Sequence, residues 1–446
     1  MTEFLNDIDD DDYLDNPNKI LPIEIKYDTN NEDIFYDAMK NVAKLIIPMW
    51  SNIDNKDINI STLAGGITNI IYLLEKIDNC NHNSISNPNT IILRIYGEGT
   101  DMVINRNAEN IVFSTLSSLR IGPIYYGRFL NGRIEGYIPA RSLYMDDMND
   151  LDIYPRIAYS IAQLHSQQIE HMDKSLSIFK SIYKNINIAK TLKFDIPSKQ
   201  DAYNRLDLTT IENELKRLKD YIDQRIEDGL DSEKSCENGK KHHASWHRAG
   251  LKLVTDISLC HNDLLSGNIL ISHELLSVLK TCAPSARDEN FNKTDGITLI
   301  DYEYAEYNYR GYDLANHFCE FGGFDFNIKE HFPNFETRAQ FIFHYSCAVA
   351  NRKDTSLLRL DSGTRAAISY ISSLSLSNIF NNEEALTFLL AADSMIRPFC
   401  LLAHLYWGTW SVVQAMYSPV DFDYLEYAHL RFNGYFYHKE EFNLNF

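Results

Sequence analysis

"HNDLLSGNIL", residues 261–270, sets a histidine, a carboxylate and, five residues after the carboxylate, a carboxamide inside an apolar segment. A hairpin or a helix start needs no such pair at a fixed interval. A phosphoryl-transfer loop does, because one group must take the proton of the attacking hydroxyl while the other holds a metal ion. Asp263 and Asn268 stand at that D-x-x-x-x-N spacing; an Asp and an Asn that merely cap turns would give the same short match. The second half follows in "GITLIDYEYAEYNYRGYDLANHFCE", residues 296–320. An apolar strand is expected over Ile297 to Ile300, ending in Asp301 with Glu303 two residues on. Hard oxygen ligands at a strand end suit magnesium and phosphate. The two segments in this order point to phosphoryl transfer.

Outward from the motif, the chain changes character near residue 139. Before it come a helix in "NEDIFYDAMKNVAKLIIPMW" (31–50), with Ile34, Ala38, Val42, Leu45 and Met49 expected on its apolar face, and strands in "INIST", "NIIYLLEKI" and "TIILRIYG". "RNAENIVFSTLSSL" reads as a helix and "IYYGRFLNGRIEGYIPA" as a hairpin that runs into an extended connector. Beyond residue 139 helical spacing dominates: Ile157, Ile161 and Leu164, then Ile211, Leu215, Leu218 and Ile222. The expected organisation is an α+β chain with an acidic, mobile tail over 1–30, an antiparallel sheet lobe over 31–139 and a mainly helical lobe over 140–446, with a cleft between the lobes. Polar insertions are expected near 230–250 and 275–295. His242, His243 and His247 in the first insertion sit in no metal-binding frame.

Composition limits the partners. The 446 residues carry 42 Lys and Arg against 62 Asp and Glu, a formal charge of −20, which argues against nucleic acid or an anionic membrane as the main partner. Seven cysteines without CxxC spacing form neither a disulfide framework nor a zinc motif, so a reduced, cytoplasmic protein is expected. "MTEFLNDIDDDDYLDNPNKI" has neither the cationic start nor the apolar core of a signal peptide. "PFCLLAHLYWGTWSVVQAMY" (398–417) is long enough to span a bilayer, yet it contains His404, Thr409, Ser411 and Gln414 and reads as a buried core helix.

"HNDLLSGNIL", "LIDYEYAEYNYRGYDLANHFCE" and "WGTWSVVQAMYSPVDFDYLEYAHLRFNGYF" together resemble the choline/ethanolamine kinase family, as do "AGGITNIIYLL", "IILRIYG", "AENIVF" and "GPIYYGRFLNGRIEGYIPAR". These segments run in the family's order from about residue 60 to 440. The resemblance implies a bilobal protein-kinase-like fold, ATP and Mg²⁺, a small amino-alcohol acceptor (choline or ethanolamine) and a homodimer. It implies Asp263 as the base, Asn268 and Asp301 as metal ligands, and Glu303 as a further carboxylate near the metal. Gly65 and Gly66 with Ile67, Thr68 and Asn69 would form the loop over the phosphates, where backbone N–H groups approach because side chains are small or absent. Arg94 would grip phosphate, oriented by Glu109. Gly136, Tyr137, Ile138, Pro139 and Arg141, with Leu265, would line the nucleotide.

The substrate reading rests on aromatic residues. Choline's trimethylammonium has no N–H to donate, so π-faces and a carboxylate hold it best. Trp407 and Trp410 are one helical turn apart. Alone such a pair can be core packing; matched to the family they become walls of a cation box, with Tyr304, Phe422 and Tyr427 as further walls and Glu320 as counter-charge. His317 and Cys319 are expected to be structural. After Glu320 many choline kinases continue with tryptophan and tyrosines, whereas this chain reads "FGGFDF" (321–326). That stretch and "FDYLEYAHLRFNGYF" lean to ethanolamine, while "HFCE" and "YNYRGYD" lean to choline. The sequence therefore predicts a choline kinase, with ethanolamine kinase, an aminoglycoside-type phosphotransferase and a nucleotide-binding pseudokinase as alternatives.

Overall fold

Alternation of apolar and polar residues builds the sheet of the first part of the chain. The computed structural model describes residues 20–26, 32–63, 69–77, 84–97, 105–170, 172–231, 241–281, 295–351, 360–418 and 420–446. They divide into two units, Met1–Pro139 and Ala140–Phe446. In the first, β1 (Ile20–Leu21), β2 (Ile58–Leu63), β3 (Asn69–Lys76), β4 (Thr90–Tyr96), β5 (Tyr125–Phe129) and β6 (Gly132–Gly136) form one sheet in the order β1-β5-β6-β4-β3-β2. Every pairing in it is antiparallel except β1 with β5. Tyr72 and Leu74 of β3, Ile91 and Leu93 of β4, and Ile134 of β6 point into one core, which the helix Glu32–Ile46 covers.

Two expectations change here. The Glu32–Ile46 helix is present, but it buries Phe35, Met39, Val42, Ala43 and Ile46, while Ile34, Leu45 and Met49 are exposed. Residues 35, 39, 42 and 46 keep the 3–4 spacing as well as 34, 38, 42, 45 and 49 do; Val42 is buried as expected, and the larger Phe35 and Met39 take the rest of the core. The acidic tail was expected to reach residue 30, yet Ile20–Leu21 pairs with Arg128 and Phe129, and Leu21 and Ile25 are buried.

The second unit is helical around the helix Glu383–Tyr417. Asn382 caps it by accepting from the Ala385 N–H (2.8 Å), and the acidic first turn suits the helix dipole. The helix is apolar on nearly all sides, as a core element must be. It is long and apolar enough to cross a membrane, but 72% of its most apolar window is buried within this unit. Its one buried acid, Asp393, is neutralised by Arg338 (2.6 and 3.0 Å) and Arg397 (2.6 Å). Gly408 lets the helix Tyr424–Glu441 approach: a Cβ there would lie 2.4 Å from the Phe432 ring. The insertion expected near 230–250 is in its second half the helix Lys241–Thr255, with Ala249, Leu251 and Val254 buried. That near 275–295 begins as the helix His273–Thr281, and residues 282–294 lie outside the described ones.

Two small sheets position the motifs. β8 (Ile257–Cys260) pairs with β11 (Glu306–Tyr309), and β9 (Ile269–Ser272) lies between β7 (Ala140–Ser142) and β10 (Ile297–Leu299). The segment 261–268 therefore runs from the first small sheet to the second, and 300–305 runs back. Both chemistry-bearing segments bridge the same pair of sheets, which places them side by side.

Candidate active site

The 261–268 segment is held by its backbone. Asn262 has φ 66°, a left-handed conformation that Asn tolerates better than most residues. The N–H groups of His261 and Asn262 both donate to the carboxylate of Asp313, each at 2.7 Å. Asp313 is wholly buried in the helix Arg310–Cys319 and also meets His165 Nε2 (3.0 Å), whose Nδ1 is 2.7 Å from the Tyr345 hydroxyl. The His261 ring donates to the Ile300 carbonyl (2.8 Å), and the Asn262 amide donates to the Tyr304 carbonyl (2.8 Å). The Ile300 N–H donates back to the Asn268 carbonyl at 3.0 Å. These bonds sew the two motif segments together.

Asn268 donates from its side-chain amide to the Asp263 carbonyl (2.9 Å) and carboxylate (2.8 Å). Both amide protons are thus spent on Asp263, which leaves the amide oxygen for a cation. Asp301 follows β10 with φ 65°, and Glu303 is two residues on. An all-oxygen set of one amide and two carboxylates fits Mg²⁺. Burial, then the charges of Glu320, Asp301 and Glu303, push the Asp263 carboxyl well above the usual carboxylate range, against the Asn268 hydrogen bond. So acidic a locus favours cations, whether metal or ammonium.

The aromatic residues form a contiguous cluster. Tyr304 stands edge-on to Trp407 (centroids 5.4 Å, 80°) and to Trp410 (6.3 Å, 81°), and the indoles meet at 5.3 Å and 80°. Such tilted packing is the favoured geometry of π systems. Trp407 donates from its indole to Asn316 (2.8 Å), which fixes its orientation. Tyr424 continues from Trp410 (5.9 Å) to Phe422 (4.9 Å), and Phe422 meets Tyr427 at 5.7 Å. The Asn262 amide bond to the Tyr304 carbonyl sets Tyr304 beside the 261–268 segment, and burial above all pushes the Tyr304 and Tyr427 hydroxyls up. Glu320 has a partner of its own. One of its carboxylate oxygens accepts from the fully buried Arg431 at 2.9 Å, an ion pair the sequence did not show. Arg431 needs that partner because a lone guanidinium would be costly to bury.

In the first unit, Gly65, Gly66, Ile67 and Thr68 lie outside the described residues; Asn69 opens β3 opposite Tyr96. Arg94 is buried, and its Nε donates to Glu135 at 2.8 Å. Glu109, expected to orient Arg94, accepts from Arg133 (2.5 Å) and Arg106 (2.8 Å), and Arg133 also donates to Glu135 (2.6 Å). The orienting group is thus a chain of alternating charge rather than one pair. Gly136 ends β6, Tyr137 to Pro139 follow it, and Arg141 lies in β7, its guanidinium held by Asp147 (2.6 and 3.1 Å) and set over the Tyr144 ring. The Leu265 carbonyl accepts from the Asn268 N–H at 3.0 Å.

Asp313, His165, Glu135, Arg133, Arg431 and Asn316 were not singled out in the sequence. A charged or amide group inside a strongly apolar run, as in "YDLANHF" and "HLRFNGYF", is the signal they carried.

A carboxylate–amide pair beside a strand-end acid, carried by a helical unit that follows a largely antiparallel sheet unit, is the arrangement of a phosphotransferase of protein-kinase-like fold. Residues 60–436 match the profile of the Choline/ethanolamine kinase family, and the chain belongs to that family of ATP-dependent phosphotransferases. It is 29% identical to "Probable ethanolamine kinase A" of Dictyostelium discoideum, over 95% of this chain and 97% of the relative. It is 25% identical to "Choline/ethanolamine kinase" of Homo sapiens, over 87% and 82%. The structure of a Plasmodium vivax ethanolamine kinase shares the fold with a TM-score of 0.64 at 20% identity, covering 97% of this chain and 95% of that one. A choline kinase from Cryptosporidium parvum does so with 0.59 at 23%, covering 91% and 95%.

Proposed function

We propose that this protein transfers the ATP γ-phosphate to choline, giving phosphocholine and ADP. Asp263 accepts the proton as the choline oxygen bonds to phosphorus and the bond to the β-phosphate oxygen breaks. Asn268 and Asp301, with Glu303 beside them, would hold Mg²⁺, which supplies positive charge to the phosphate oxygens. Arg94, braced by Glu135, would add a charge-assisted contact to phosphate.

The observation that supports choline is the cluster of Tyr304, Trp407 and Trp410, whose Tyr304 is bonded to the Asp263 loop through Asn262, combined with a Glu320 already paired to Arg431. Ring faces, not a free carboxylate, are then the main anchor for the ammonium. Cation–π attraction is worth about 2 kcal/mol for a desolvated contact, roughly thirtyfold in affinity. Ethanolamine is the second reading, favoured by the exposed Phe324 in "FGGFDF" and by the Dictyostelium relative's name. The deciding experiment measures kcat/KM for choline and ethanolamine in the wild type and in Trp410→Ala. Choline turnover is expected to fall up to about thirtyfold and ethanolamine turnover less. Equal losses would make the tryptophan scaffold, and a wild type that ignores choline would move the assignment to ethanolamine.

A further inference from the structure

Behind the aromatic cluster, three helices bring soft ligand groups to one point. Cys319 ends the helix Arg310–Cys319, His404 lies in the middle of Glu383–Tyr417, and His438 lies in Tyr424–Glu441. One donor atom from each of these three falls within 4.8 Å of the other two, and all three side chains are buried. His404 Nε2 is 2.9 Å from His438 Nδ1 and 3.9 Å from the Cys319 sulfur. One helical turn before His404 lies Cys400, whose thiol donates weakly to the Ala315 carbonyl (3.9 Å). The outer nitrogens, His404 Nδ1 and His438 Nε2, have no hydrogen-bond partner. Phe326 stands edge-on to His404, and Phe332 and Phe442 enclose His438, so water is kept out.

We propose that the converging Cys319, His404 and His438 form a structural zinc site that locks the three helices together, with Cys400, one turn before His404, supplying the fourth ligand. A zinc ion with bonds of about 2.0–2.1 Å to nitrogen and 2.3 Å to sulfur sets tetrahedral neighbours roughly 3.3–3.6 Å apart. The observed 2.9 and 3.9 Å lie on either side of that value and need shifts of only a few tenths of an ångström. Thiolate and imidazole select zinc over the magnesium used in catalysis, which prefers oxygen. Charge supports the fourth ligand. Two thiolates neutralise Zn²⁺, whereas one would leave a net positive charge in a buried core. The placement has a use: Cys319 immediately precedes Glu320, His404 is three residues before Trp407, and His438 is seven after Arg431. A metal here fixes the relative register of the helices that carry the aromatic cluster and its ion pair.

The test starts with the whole protein, purified under reducing conditions, incubated with Zn²⁺ and dialysed against excess Mg²⁺. Metal analysis is expected to find about one zinc per chain, and a soft chelator should remove it and lower the Tm, with recovery on adding zinc back. Cobalt in its place should give the near-ultraviolet absorption of thiolate ligation. His438→Gln, which can keep a hydrogen bond to His404 but loses an imidazole ligand, should retain much less zinc, as should Cys400→Ser if Cys319→Ser fails to fold. A wild type that holds under about a tenth of an equivalent, with an unchanged Tm, would overturn the site and leave a metal-free hydrogen bond between the imidazoles. Wild-type zinc retention in both His438→Gln and Cys400→Ser would overturn it equally, by placing the ion elsewhere.

Discussion

Asp263 and Asp313 are both buried carboxylates with opposite tasks, and substitution should separate them. Asp263→Asn keeps the shape of the loop but cannot accept the hydroxyl proton, so kcat should fall about 10²–10⁴-fold while ATP still binds, read by single-turnover assay and nucleotide titration. Asp313→Ala leaves the His261 and Asn262 N–H groups buried without their acceptor. Each lost partner costs about 1–3 kcal/mol, so urea unfolding should show a large loss of stability as well as lost activity. Asp263 could be read from the sequence because its spacing to Asn268 reports a chemical requirement. Asp313 could not, because its role depends on two N–H groups some fifty residues away that only the folded chain brings to it. Glu320 shows the same limit from the other side: its place in the motif was legible, but its partner Arg431 lies 111 residues on.

At the level of elements, the helix Arg106–Ser118 is tied to the sheet by the run Arg106–Glu109–Arg133–Glu135–Arg94. Burial pushes the Glu109 carboxyl up, but Arg133, then Arg106 and Arg94, outweigh it and hold it at about 2 against an ordinary 4.5. A carboxyl lowered on folding contributes stability that is complete above its ordinary value and disappears as pH falls through its lowered one. Between about pH 5 and 3, unfolding free energy should therefore drop less steeply in Glu109→Gln than in the wild type, measured by urea titration across that range. At pH 7 the variant should be less stable by roughly 3–5 kcal/mol, since part of a buried ion network is broken. Element types were legible from periodicity, as for Ile157, Ile161 and Leu164, all of which are buried. Which stripe of Glu32–Ile46 turns inward was not, because two sets of residues met the spacing and the sheet decided between them. The helix Lys241–Thr255 was hidden for a related reason. Its polar first turns read as an exposed insertion, and only packing on the central helix reveals its apolar side.

For the molecule as a whole, the two motif segments are positioned by ladders rather than by the chain between them. Ile297 pairs with Ile271, the Ser272 N–H donates to the Gly296 carbonyl at 2.8 Å, and Glu306 pairs with Cys260. Among the described residues, those ladders suffice to position Asp263 and Asp301. Lengthening the chain between Thr281 and Asp295 is expected to cost only loop-closure entropy, about 0.6 kcal/mol for each doubling. The consequence is practical: a small foreign domain whose ends lie close together can be spliced in between those residues. Such a chimera should retain kcat and KM within about twofold of the parent and lose little thermal stability. A chimera that folds but no longer transfers phosphate would show that this stretch takes part in catalysis. If activity persists, the enzyme gains a port for a fluorescent reporter a short distance along the chain from Asp301 and Glu303.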